Sequence, residues 1–171
     1  MGYDIELVEA RFRITAGRAP AALSAVLALF SPDDITLASG GVTTCGANAQ
    51  TQERWFAFLN PELIERAIAR RDLAYALDAF RFVPTRTAEG DIVALRFRGE
   101  RSGDERFLFE ALGPYVDPGS YVEMAAEDGA RWRWSFDGST CQLHVIVPSQ
   151  WGPLWLTGHA DTGAAPGWAA T

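Results

Sequence analysis

Residues 129–147, GARWRWSFDGSTCQLHVIV, read as two β-strands joined at Asp137-Gly138. Trp132, Trp134 and Phe136 alternate with Arg131, Arg133 and Ser135, so one face of the predicted sheet is apolar and the other polar. Asp-Gly is a strong signal for a two-residue hairpin turn. Such a turn predicts Trp134 beside Cys141, Trp132 beside Leu143, Arg133 beside Gln142 and Arg131 beside His144.

The preceding strand, Ser120 to Ala126, is registered by the same reasoning. A three-residue loop, Glu127-Asp128-Gly129, with glycine in the left-handed conformation, sets Met124 against Trp132 and Val122 against Trp134. On the other face it sets Glu123 against Arg133. A two-residue loop would oppose Glu123 and Trp134, which suits neither face. The tryptophans therefore belong to the core, with Val122, Met124 and Leu143 as neighbours. Tyr121, Glu123, Arg131, Arg133, Gln142 and His144 form a polar ladder over three strands.

Upstream, Tyr3 to Ile14 reads as a strand whose apolar set, Ile5 and Leu7, then Val8, Ala10, Phe12 and Ile14, changes parity between Leu7 and Val8. That change predicts a bulge or twist. Pro20 suits a first helical turn, and Leu23, Val26, Leu27 and Phe30 follow as one buried stripe. Residues 39–51 read as a long loop. Asn60-Pro61-Glu62 opens a helix with Leu63, Ile64, Ala67 and Ile68 inward, and Arg70-Arg71-Asp72 interrupts it before a second piece with Leu73, Leu77 and Phe80. Pro84 limits residues 82–85 to an edge strand, and residues 92–98 alternate with Val93, Leu95 and Phe97 inward. Ser102-Gly103-Asp104-Glu105 has the spacing of a capping box, opening a helix that buries Phe107, Leu108, Ala111 and Leu112 and stops at Pro114. The order β-α-loop-α-β-β-α-β-β-β predicts an α+β fold: a mainly antiparallel sheet with a C-terminal β-meander and helices on one face. Residues 1–148 are expected as a single domain, with 149–171 a Trp/Gly/Ala/Pro-rich tail in which Trp151 and Trp155 could anchor on the domain or on a partner.

At 171 residues the chain is long enough to build a core without staples. The net charge of −7 argues against general nucleic-acid binding, which neutralises phosphates with a basic patch, and permits a basic protein partner. All 15 basic residues are Arg, which excludes Schiff-base and phosphate-loop lysine chemistry. The apolar run at residues 19–30 is too short to span a bilayer, and no stretch reads as a secretory signal. A cytoplasmic protein without membrane partner is expected, with Cys45 and Cys141 as free thiols or, as the alternative, one disulfide.

Catalytic patterns do not assemble. His144 and His159 lack a second ligand at metal spacing, so no metal or cofactor is expected. No nucleophile elbow or nucleotide-binding glycine loop occurs. Cys141, on the apolar face, reads as inert, while Cys45 in the 39–51 loop is the better-exposed thiol. The acidic pairs Asp33-Asp34, Asp104-Glu105 and Glu127-Asp128 all sit at turns or helix starts.

Residues 2–14 (GYDIELVEARFRI), 90–100 (GDIVALRFRGE), 103–116 (GDERFLFEALGPYV) and 119–136 (GSYVEMAAEDGARWRWSF) resemble a set of small uncharacterised proteins of actinobacteria and their phages. The resemblance excludes residues 31–59 and 148–171 and brings no activity with it; by fold-level analogy it implies an inhibitor, immunity or anti-defence protein. The expected function is thus non-enzymatic recognition of another protein, through the polar sheet face and the segment bearing Trp151 and Trp155. Two alternatives stand beside it: a small-ligand-binding protein or enzyme using the 39–51 loop, and a structural subunit of a phage or bacterial assembly; a homo-oligomer is compatible with each reading.

Overall fold

The computed structural model describes residues 4–30, 59–99, 105–148 and 155–157. The elements are β1 (Ile5–Arg11), α1 (Ala19–Leu27), α2 (Pro61–Arg70), α3 (Leu73–Ala79), β2 (Phe82–Arg86), β3 (Ile92–Phe97), α4 (Glu105–Leu112), a 3-10 turn (Gly113–Tyr115), β4 (Tyr121–Ala126), β5 (Arg131–Phe136), β6 (Cys141–Pro148) and β7 (Trp155–Thr157). One antiparallel sheet has the order β1-β4-β5-β6-β7, and β2 and β3 form a separate hairpin. This is the α+β architecture read from the sequence, including the β4-β5-β6 meander. Reciprocal backbone bonds between Ile14 and Ile92, both 2.9 Å, tie the hairpin to the chain just after β1.

Local chemistry sets the helix boundaries. The Asn60 side chain accepts from the Glu62 N–H, Pro61 takes the first turn, and Arg71 leaves α2 in the left-handed conformation (φ 51°). Asp72 then caps α3 by accepting from the Ala74 N–H at 2.8 Å and pairs with Arg86. The predicted interruption at residues 70–72 is therefore a true helix break.

The core lies between the helices and one face of the large sheet. Phe109 of α4 meets Phe82, Trp134 and Phe136 at ring-centroid distances of 5.0, 5.6 and 5.9 Å, and Phe12 packs edge-on against Phe136 at 5.6 Å. The β4-β5 register is the expected one, with Val122 opposite Trp134, Glu123 opposite Arg133 and Met124 opposite Trp132. Gly129 takes the expected left-handed conformation (φ 85°). The β1 irregularity also falls where parity changes: Leu7 pairs with Met124 and Glu9 with Glu123, leaving Val8 as the extra residue.

Four expectations are corrected. The β5-β6 turn spans four residues, not two, so Trp134 faces Leu143, Arg133 faces His144, Ser135 faces Gln142 and Phe136 faces Cys141. The cause is Asp137, whose carboxylate accepts from the backbone N–H groups and hydroxyls of both Ser139 and Thr140 at 2.6–2.9 Å. That capture favours the wider loop, and because the shift is two residues every side chain keeps its face. Second, Leu143 is not a core residue but 46% exposed: it lies on β6, toward the margin of the sheet, where the described side chains are more open than those of β4 and β5. Third, Ile92 is buried and Val93 exposed: Thr85 pairs with Ala94 and Arg86 with Ile92, making Val93 an extra residue at a bulge. Fourth, α4 buries Glu105, Leu108, Phe109 and Leu112 instead of Phe107 and Ala111, and Ile68 of α2 is exposed at the margin of its stripe. Glu105 can enter the core stripe because Arg81 lies 3.7 Å away.

The Thr140 and Ser139 bonds hold the Asp137 carboxyl well below the usual carboxylate range. A depressed folded-state pKa contributes stability above the unfolded value of about 3.9 and loses it as pH falls through the folded value. Asp137→Ala should therefore lower Tm at pH 7, with the gap from wild type narrowing below about pH 4. Thermal melts at both pH values check this, and a pH-independent gap would show that the turn acts by backbone conformation alone.

Candidate functional site

The polar face of the sheet is built on four adjacent strands. The β1 bulge returns Glu9 to the face that carries Tyr121 and Glu123, and strand alternation supplies Arg131 and Arg133 from β5 and Gln142 and His144 from β6. Glu123 is 7% exposed and lies under the two arginines. Its Oε2 accepts from Arg133 Nη2 at 2.6 Å and Nε at 3.1 Å, and its Oε1 accepts from Arg131 Nη1 at 3.4 Å. The Arg133 guanidinium also sits over the Tyr121 ring, 4.4 Å from the centroid. The Tyr121 hydroxyl donates to Glu9 at 2.7 Å, which raises the phenol pKa and keeps it neutral.

The result is one connected chain of contacts, Glu9–Tyr121–Arg133–Glu123–Arg131. Its arginine side chains remain 39% exposed while the carboxylate joining them is covered. Four of the expected site residues, Tyr121, Glu123, Arg131 and Arg133, are thus brought together by contact. Gln142 and His144 lie on the same face but one pair further along than expected, opposite Ser135 and Arg133 in place of Arg133 and Arg131. The four-residue turn is the reason. Trp155 begins β7, its backbone opposite Pro148, so part of the segment expected as a tail adds a strand to the sheet. Trp151, Cys45, His159, Asp33-Asp34, the 39–51 loop and the Ser102 end of the capping box lie outside the described residues.

Glu9 is the member that sequence reasoning did not name. Its signal was present: with the parity change at Val8, the residues left over from the apolar set are Glu6, Glu9 and Arg11, all on the polar face.

Among the described residues the apolar face offers one thiol and no other nucleophile. Cys141 is a free thiol opposite Phe136, half-buried, and burial pushes its pKa up to about 12. It stays protonated and unreactive at neutral pH. Among the described residues no group of three or more His, Cys, Asp or Glu side chains could hold a metal ion, and no helix is long and apolar enough to cross a membrane. A surface groove of about 340 Å³ lies at the end of the β1-β4 pair, lined by Asp4, Ile5, Glu6, Ala125, Ala126 and Glu127. It collects carboxylates at an open rim, and none of its lining side chains is a cysteine, histidine, serine or basic residue that would complete a catalytic set with them.

Fold and site together define an α+β protein with an open, pre-ordered polar sheet face. No protein family, curated protein or solved structure matches the chain.

Proposed function

We propose that this chain is a non-enzymatic protein-binding module, of the inhibitor or immunity kind, that recognises another protein through the polar face of its large sheet. One observation carries the reading: Tyr121, Arg131 and Arg133 are held in place by Glu123 and Glu9 while their arginine ends stay half-open to water. Tyr and Arg dominate binding hot spots. Side chains already fixed before contact lose less conformational entropy on binding. The net charge of −7 adds long-range attraction toward a basic partner.

The test is comparative capture from the native host, with cross-linking. A partner retained by wild type should also be retained by Arg106→Ala, which alters an exposed i,i+4 pair on α4. The same partner should bind Arg133→Ala at least about tenfold more weakly, the scale of a hot-spot truncation. Capture of no partner, or equal retention by Arg133→Ala once circular dichroism shows that variant folded, would reject the reading.

A further inference from the structure

The two edges of the large sheet are treated very differently. β1 carries a bulge at Val8 and the charged residues Glu6, Glu9 and Arg11. Bulges and charges are how sheet edges avoid pairing with other chains. At the other edge β7 pairs only with residues 146–148 of β6. Among the described residues, no strand pairs with Cys141–Val145 on the side away from β5. That stretch, CQLHV, has no charged residue, no proline and no bulge. It also holds two of the most exposed large apolar side chains of the described surface, Leu143 at 46% and Val145 at 52%. An edge that no described strand covers, with exposed aliphatic residues, is a template for strand addition.

We infer that residues Cys141–Val145 are a self-association edge, taken by the same stretch of a second copy in antiparallel register about a twofold axis at Leu143. The sequence is self-complementary in this register. Leu143 meets Leu143 of the second copy, Cys141 meets Val145, and Gln142 meets His144, so aliphatic groups share one face and two polar, uncharged groups share the other. No like charges oppose each other along the contact, although each copy carries −7 overall. The seam is short, so a weak dimer is expected, and salt should strengthen it by screening the net repulsion. The edge shares Gln142 and His144 with the polar face but uses none of Tyr121, Arg131 and Arg133, so variants at Leu143, which points to the opposite face, test it without altering the residues that carry the proposed function.

Sedimentation of the full chain from about 10 μM to about 1 mM, at low and moderate salt, reads the association directly, a range chosen to bracket weak complexes. Hydrogen exchange of the Cys141, Leu143 and Val145 amides, which strand alternation points away from β5, should slow as the dimer fills. Leu143→Lys places two like charges face to face and should abolish dimerisation over the same range, as should Leu143→Glu. Mixing the two variants in equal amounts should restore a heterodimer, because the opposed pair is then Lys against Glu. Leu143 is half open to solvent, so both variants should keep the wild-type circular dichroism spectrum. A monomer at every concentration, a dimer that tolerates Leu143→Lys, or a mixture that fails to associate would each overturn the proposal. Slow exchange at Cys141, Leu143 and Val145 that does not depend on concentration would overturn it too, by placing another stretch of the same chain on the edge.

Discussion

Phe109→Ala should destabilise the protein by about 3–5 kcal/mol, the range for emptying a buried phenylalanine site. Phe109 is fully buried and its ring touches Phe12, Phe82, Trp134 and Phe136. Those partners come from the chain after β1, from β2 and from β5, so one side chain joins the small hairpin, the helix layer and the large sheet. A cavity at that junction cannot collapse from one side without moving the others. For a domain of this size each kcal/mol lowers Tm by about 2–4 °C, so the melt should fall by roughly 12 °C. Phe107→Ala, on the half-buried side of the same helix, should cost only about 1 kcal/mol. Equal losses at the two positions would mean that α4 is rotated from the orientation described.

That pair of substitutions also marks where the sequence was and was not legible. Strands and helices announced themselves through period, and the caps at Asn60 and Asp72 through chemistry confined to a few residues. The phase of α4 was hidden because its true stripe, residues 105, 108, 109 and 112, begins with a glutamate. A carboxylate argues against burial until its partner is known, and Arg81 lies 24 positions upstream on another element. The β5-β6 register failed for a related reason. Asp-Gly favours a two-residue turn through backbone conformation, but the Ser139 and Thr140 that follow supply four donors to the Asp137 carboxylate. Side-chain capture then outweighs the dipeptide preference. In contrast, the β4-β5 register was recoverable because both faces voted for it: the alternative would have set a carboxylate against an indole. The polar ladder was legible as a face and as the Glu123–Arg133 pair. Its connection to Glu9 needed the β1-β4 pairing, which joins residues 112 positions apart.

Glu123 gives the second large effect, and it separates holding the site from forming its surface. Glu123→Ala removes the carboxylate that accepts from both Arg133 Nε and Nη2 and leaves two guanidiniums crowded on adjacent positions of one strand face. A fully buried pair broken this way costs about 3–5 kcal/mol. The arginines here are 39% exposed and water can reach them, so the expected loss is about 2 kcal/mol, read from denaturant unfolding. A double-mutant cycle should divide that loss unevenly. Arg133, in contact through two donors at 2.6 and 3.1 Å, should couple to Glu123 by about 1–2 kcal/mol, whereas Arg131 at 3.4 Å should couple by less than about 0.5 kcal/mol. Glu123→Gln keeps the shape and one acceptor, and should fall between wild type and Glu123→Ala. At 7% exposure Glu123 offers almost nothing for a partner to touch. If the arginine face binds a protein as proposed, Glu123→Ala should still weaken binding, through a faster dissociation rate, because Arg133 would then have to be ordered during association. Unchanged binding by a folded Glu123→Ala variant would mean that the pre-ordering of Arg133 contributes nothing to recognition, and the carboxylate would then be a stability element alone.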